Sequence, residues 1–406
     1  MLRNRSLLAL LAAEVVSTTG IQMTFVALPW FVLVTTGSAS RMSYVLAAEI
    51  APMALFGIPS GSVVARLGGR RTMLVSDLVR APLIVLVPVL HWTGALSFGL
   101  LLVLVFVLGV FTAPYYAAQR TIVPELFGDD EQTVARASAL FGGATHLTMI
   151  AGPVVGGILV AAFDASAVLV LDGATYLVAF ALVLAFVRGG APVPQEDAAR
   201  GVLAGVRFLA RDRLLGTMTL TIILLDAASS ALFTSLPALA FFRFHRDPHV
   251  AGWLFAAFGV GALVGSVLAM KVLEHVRPLR LSALAIVVAV LPLWLLVATL
   301  PAYGVAAALF ACAVFVPLVN APVMGMITTR PPEALRAKVM TAIMTSSALG
   351  GPGGRVIVGP LFESWGIAAT YAVIAAALSV GAVAYAAVAL GSREEEPAPV
   401  PALAGH

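Results

Sequence analysis

Residues 95–125 read ALSFGLLLVLVFVLGVFTAPYYAAQRTIVPE, and the first 24 of them, 95–118, carry no charged side chain. A helix needs about 20 apolar residues to cross the hydrocarbon core of a bilayer, so this run predicts a transmembrane helix. The run is continuous rather than alternating over ten residues, which argues against a membrane β-strand. Its end repeats later in the chain. Ala113-Pro114 is followed ten residues on by Pro124-Glu125, and Ala321-Pro322 is followed at the same interval by Pro332-Glu333.

Working outward, comparable apolar runs lie near 6–35, 42–65, 72–90, 95–118, 133–162 and 165–187. A second set lies near 213–241, 249–272, 279–299, 302–327, 337–362 and 367–390. The reading is an all-α integral membrane protein with twelve transmembrane helices. Composition agrees: 61% of the 406 residues are hydrophobic, 11% are charged, and mean hydropathy is +1.02. A soluble chain is about 25% charged, because charges cover its surface.

Two further echoes accompany the first. Gly61–Arg66 (GSVVAR) after span 2 recurs as Gly265–Lys271 (GSVLAMK) after span 8, and Gly152-Pro153 in span 5 matches Gly359-Pro360 in span 11. Three matches in order, at nearly constant offset, predict two parallel repeats of six helices. Such a repeat places the substrate site near the midplane, between the halves. The expected organisation is a six-helix bundle over 1–187 and a cytoplasmic linker with an amphipathic helix over 188–212. A second bundle follows over 213–390, then a disordered tail over 391–406.

Basic residues set the orientation. With a cytoplasmic N-terminus, 19 of the 24 Lys and Arg fall on the cytoplasmic side, and only Arg41, Arg243 and Arg246 fall outside. Both termini are therefore expected inside a bacterial cytoplasmic membrane. The net charge of +4 is scattered singly, which excludes a nucleic-acid surface. A single cysteine, Cys312, excludes an intrachain disulfide and a CxxC metal site. Without a nucleotide loop, an HExxH motif or a nucleophile arrangement, the sequence does not read as an enzyme, and no cofactor or metal is expected.

Ionisable groups inside spans cost about 2.5–3.5 kcal/mol each on insertion scales, so each tends to face a cavity or a partner. Glu14 and Asp226, on the corresponding spans 1 and 7, are candidates for proton coupling or substrate charge, because desolvation lets a carboxylate gain and lose protons. Glu49, His146 and Arg355 join them, and Gln22 and Asn320 could hydrogen-bond a substrate. Phe25, Trp30, Phe233 and Phe315 could add apolar contact. Asp77 and Arg80, three apart in span 3, can neutralise one another, and Asp172 in span 6 reads as a structural polar contact. Gly152, Pro153, Gly156 and Gly157 in span 5, with Gly359 and Pro360 in span 11, allow close packing and helix bending.

The segments APYYAAQRTIVPEL, ARASAL, AGPVVGG and VLDGATYLVAFAL, in that order between Phe111 and Phe180, resemble the major facilitator superfamily. More narrowly they resemble its macrolide-efflux and enterobactin-exporter-like branch. The family's signature between spans 2 and 3 falls on Gly61, Arg66, Gly68, Arg70 and Arg71, with Ala65 where an aspartate is usual and Gly69 where this branch often has arginine. In the family that aspartate helps latch the cytoplasmic side. The resemblance implies a proton-coupled exporter of a small amphipathic compound, a drug, antibiotic or siderophore, working as a monomer by alternating access. Lipid transport or nutrient symport on the same fold stays open at this point. The resemblance also implies that spans 1, 4, 7 and 10 line the cavity most directly.

Overall fold

The computed structural model describes residues 5–127, 131–187, 206–273, 275–331 and 333–391. The tail beyond 391 and most of the linker, 188–205, lie outside them. Among the described residues all regular structure is helical.

The first half comprises α1 (Arg5–Thr36), α2 (Ala39–Leu67), α3 (Gly69–Trp92), α4 (Phe98–Phe127), α5 (Glu131–Phe163) and α6 (Ala165–Phe186). A short helical stretch over 206–211 precedes the second half. That half comprises α7 (Arg213–Arg243), α8 (Pro248–Val272), α9 (Pro278–Val290, tightening to a 3₁₀ helix over Leu291–Val297) and α10 (Ala302–Thr329). The last helical element, Glu333–Gly391, is divided by Gly366, whose φ of 79° and ψ of 177° are not helical. Its limbs, 333–365 and 367–391, are α11 and α12.

Ten helices are individually long and apolar enough to cross a bilayer, and α2 makes an eleventh once its two parts are joined. The final one runs 54 residues, Lys338–Gly391, more than twice the roughly 20 that one crossing requires. Split at Gly366, it brings the count to the expected twelve. α2 bends by 69° between Gly57 and Pro59. Proline removes a backbone N–H and crowds the preceding turn, so Pro59 accounts for the kink.

Within each half the packing is local: α1 lies against α5 and α6, α3 against α4 and α6, α7 against α11, and α8 against α10. The halves meet mainly along two seams, α2 with α11 and α5 with α8. In repeat terms α2 corresponds to α8 and α5 to α11, so the two seams are counterparts. Both use the ends of their helices near the loops that follow α1 and α7. The exposed surface is rich in Leu, Val and Phe, as a face towards lipid requires.

Candidate functional site

The second half encloses a cavity of about 510 Å³ between α7, α9, α10, α11 and α12, reached also by Phe258 of α8. Its wall is mainly apolar, with Phe233, Val316, Val323 and Leu378 among the lining residues, and Ser229, Ser347 and Tyr385 adding hydroxyls. Asp226 of α7 and Asn320 of α10 are its most polar groups. Asp226 forms no hydrogen bond or ion pair among the described residues, although it is partly buried. A carboxylate left unpaired in an apolar wall is costly unless something charged comes to it. Cys312 lines the same space as a small buried side chain.

Glu14, its expected counterpart on α1, is placed quite differently. It is 1% exposed and accepts hydrogen bonds from Thr18 Oγ1 at 2.9 Å, Thr145 Oγ1 of α5 at 3.3 Å and Gln119 Nε2 of α4. Nearby on α3, Arg80 Nη2 meets Asp77 Oδ1 at 2.5 Å, both residues fully buried. The guanidinium carbon lies 4.0 Å from the Tyr115 ring centre and 4.4 Å from that of Tyr176. Asp172 of α6 accepts from Thr24 at 2.6 Å and Thr175 at 3.1 Å.

Arg355 belongs to neither cluster. It stands on the α2–α11 seam, where Nη1 donates to the Leu46 carbonyl of α2 at 3.1 Å and Nε to Ser230 Oγ of α7 at 3.1 Å. Its guanidinium lies 5.8 Å from the Phe25 ring centre on α1. Glu49 of α2 is half-buried and close enough for its charge to act on Arg355. Gln22 is half-buried on α1 with its Cβ against Gly152, and the side chain of His146 lies outside the described residues.

Several devices close the seams near the loops that follow α1 and α7. Ser43 Oγ of α2 donates to the Arg355 carbonyl and accepts from the Gly359 N–H at 3.0 Å. Glu363 of α11 accepts from Ser38 Oγ at 2.7 Å and Ser40 Oγ at 2.5 Å. On the other seam a Cβ at Gly157 would stand 2.9 Å from the Pro248 oxygen, and one at Gly252 would stand 2.9 Å from the Pro153 oxygen. Only glycine allows that approach. Gly156 packs likewise on the backbone of Met23. Aromatic pairs bridge the halves as well: Phe25 with Phe255 at 5.2 Å, Trp30 with Phe241 at 5.6 Å.

The α2–α3 turn needs Gly68 at φ 78°, a conformation L side chains resist. Gly61 and the exposed Arg66 lie in the last turns of α2, and Arg71 is exposed in the first turn of α3. Arg70 donates to the carbonyls of Val187 at 2.5 Å and Leu184 at 2.9 Å, so it satisfies the free end of α6. Glu125 accepts the Gly69 N–H at 3.0 Å and caps α3. The sequence reading used Glu125 only as a repeat marker, and it passed over Ser38, Ser43 and Glu363. A serine opening a helix and a glutamate closing one are visible signals, but Glu125 meets Gly69 from 56 residues away, and Ser38 and Ser43 meet Glu363 and Arg355 across more than 300.

The family model of the Major Facilitator Superfamily matches residues 10–352 and 218–405. The multidrug efflux pump Tap of Mycolicibacterium fortuitum is 30% identical over 381 residues, covering 90% of this chain and 91% of that protein. Tap of Mycobacterium tuberculosis (strain ATCC 25618 / H37Rv) is 27% identical, covering 90% and 89%. The enterobactin exporter EntS of Escherichia coli O1:K1 / APEC is 27% identical over 263 residues, covering 62% and 60%. Among solved structures, the nucleoside transporter NupG superposes with a TM-score of 0.75 at 13% identity, covering 94% of this chain and 98% of that one. The D-xylose-proton symporter gives 0.71 at 13%, covering 93% and 96%. At such identity the structures share the fold.

Proposed function

The chain belongs to the Major Facilitator Superfamily, and on that premise we propose that it is a proton-driven secondary exporter of small amphipathic, positively charged compounds across a bacterial cytoplasmic membrane. The observation that carries this reading is Asp226: one unpaired carboxylate in an apolar cavity of about 510 Å³. Apolar walls accept flat or branched hydrocarbon without selecting its shape, and a few polar groups fix orientation. A lipophilic cation supplies the charge that Asp226 lacks. The likeness to efflux pumps over most of the chain supports export rather than uptake.

The distribution of Lys and Arg supports both termini on the cytoplasmic side. With that orientation, the seams near the α1–α2 and α7–α8 loops close the outer face. The cavity residues of α7 and α10, Ile222, Met324 and Ile327, lie on the inner side of Asp226. The conformation is then inward-facing, ready to take substrate from the cytoplasm or inner leaflet. Release requires both seams to part while the inner ends close, a rocking of one half on the other. The chain works as a monomer in this scheme, because both seams and the cavity are built within one copy.

Everted membrane vesicles test the reading. A fluorescent lipophilic cation is expected to accumulate when the lumen is acid and to leak out when an uncoupler is added. Asp226→Asn should cut cation accumulation by at least about tenfold, a loss of about 1.4 kcal/mol, while a neutral analogue of the same shape is affected far less. Equal loss for both compounds, or none for the cation, would remove Asp226 from substrate recognition.

A further inference from the structure

We infer that the space bounded by Glu14, Ser17, Asp77, Arg80 and Tyr115 in the first half is a second site, one that takes internal water and the transported proton, apart from the substrate cavity of the second half. This rests on the reading of the chain as a proton-driven exporter.

Two independent observations support the site. The first is a set of orphaned groups. Asp77 Oδ2, Arg80 Nε and Arg80 Nη1 are buried and have no hydrogen-bond partner among the described residues, and beside them the buried hydroxyls of Ser17 and Tyr115 have at most one another. Arg80 is held between the Tyr115 and Tyr176 rings, with only Nη2 on Asp77. A guanidinium keeps all its N–H donors at any pH a protein meets, and buried donors left unmatched are rare. Polar space of this kind holds water bound by several groups at once.

The second observation is the charge count. Glu14, Asp77 and Asp172 are 1%, 0% and 0% exposed, and Arg80 is the one cation buried with them. All ionised, they leave two surplus negative charges deep in the bundle. Burial without compensation is costly enough that groups neutralise instead. Asp77 keeps its charge against Arg80. The proton therefore belongs on Glu14 and Asp172. Glu14 and Asp172 each accept hydrogen bonds on both oxygens, so position separates them. Glu14 stands one turn before Ser17 on the same face of α1, beside the orphaned groups, so it is the one that exchanges.

The step is a simple transfer: hydronium in the water cluster gives its proton to the Glu14 carboxylate, leaving water and a neutral acid. The titratable groups that face Glu14 are Asp77 and Arg80 on α3 and Tyr115 and Tyr116 on α4, while Asp172 and Tyr176 on α6 act on Arg80. From α5, Thr145 reaches it directly.

The test is infrared difference spectroscopy on the full chain in nanodiscs, titrated with acid. A protonated-carboxyl band is expected that shifts in heavy water and is missing in Glu14→Gln. Asp77→Asn leaves Arg80 uncompensated, which favours ionised Glu14, so the band should then titrate at lower pH. Tyr115→Phe and Ser17→Ala keep the packing and should slow exchange of the band severalfold. A band unmoved by Glu14→Gln and by Asp77→Asn overturns the site, and so does unchanged exchange in both hydroxyl variants. Proton-driven export with an unmoved band overturns the site alone. Export that needs no proton gradient overturns the reading on which the site rests, whatever the band does.

Discussion

Glu363 of α11 accepts the backbone N–H of Ser40 at 3.0 Å, so a residue of the second half caps the first turn of α2 in the first half. The first N–H groups of a helix have no partner within it, and a carboxylate there also meets the positive end of the dipole. In the proposed transport cycle this bond breaks when the two halves part at this end. Glu363→Ala should weaken closure by about 1 kcal/mol, the usual worth of an N-cap, or roughly a fivefold shift towards the outward-open form. Spin labels on the outer ends of α2 and α11 would report it as a longer distance population. An unchanged distribution would mean that the cap does not hold the gate.

The Gly157–Gly252 contact predicts a steric version of the same shift. A valine at position 252 would push on the Pro153 oxygen, and overpacking of this kind costs about 1–3 kcal/mol. Gly252→Val should fold, favour the open outer face and export slowly. Gly99→Ala, where a Cβ meets nothing within 4 Å, serves as the control. Equal transport by both variants would contradict a working role for this seam.

At the end of α7 remote from that seam, Asp212 caps α7 and binds α10. It accepts the N–H groups of Leu214 at 3.0 Å and Leu215 at 2.9 Å, and Arg330 Nε at 3.0 Å. Partial burial pushes its carboxyl up, but these donors and the Arg330 charge outweigh that and hold it below the usual range. A carboxyl lowered by folding stabilises above its unfolded pKa, and the benefit is lost as pH falls through the folded value. Asp212→Ala should therefore lower the melting temperature at neutral pH, and the difference should start to shrink below about pH 4 and be lost only as pH falls through the lower folded value. A difference independent of pH would show that the charge is not what matters.

Orientation has its own check. In a Cys312→Ala background, a cysteine at Ala302 should react with an impermeant maleimide on whole cells, and one at Glu333 should not. The reverse pattern would invert the inside and outside assignments.

The fold was legible because its determinants are local: each apolar run reports its own crossing, and the Gly-Pro echoes report the repeat. The boundary between α11 and α12, expected between 362 and 367, rests on one glycine at positive φ. The bend of α2 was missed although Pro59 was in view, since proline alone does not say whether neighbours hold a helix straight. The candidate sites were legible only as a set of costly side chains. Glu14 and Asp226 looked equivalent by repeat position, yet Gln119 and Thr145 surround one and an apolar cavity faces the other. That difference lies in partners brought by α4 and α5, which no local pattern specifies. Arg355 likewise could have faced a substrate, but Leu46 and Ser230 receive it at the seam.

Proton coupling itself is measured most directly in proteoliposomes holding the purified chain, loaded with a lipophilic cation and a pH-sensitive dye, then diluted into substrate-free buffer. Substrate leaving down its gradient should draw protons in and acidify the lumen, and an uncoupler should abolish the signal. Glu14→Gln should let substrate exchange across the membrane without any acidification, because its neutral side chain mimics the protonated acid. A lumen whose pH stays constant while the wild-type protein releases substrate would contradict the account.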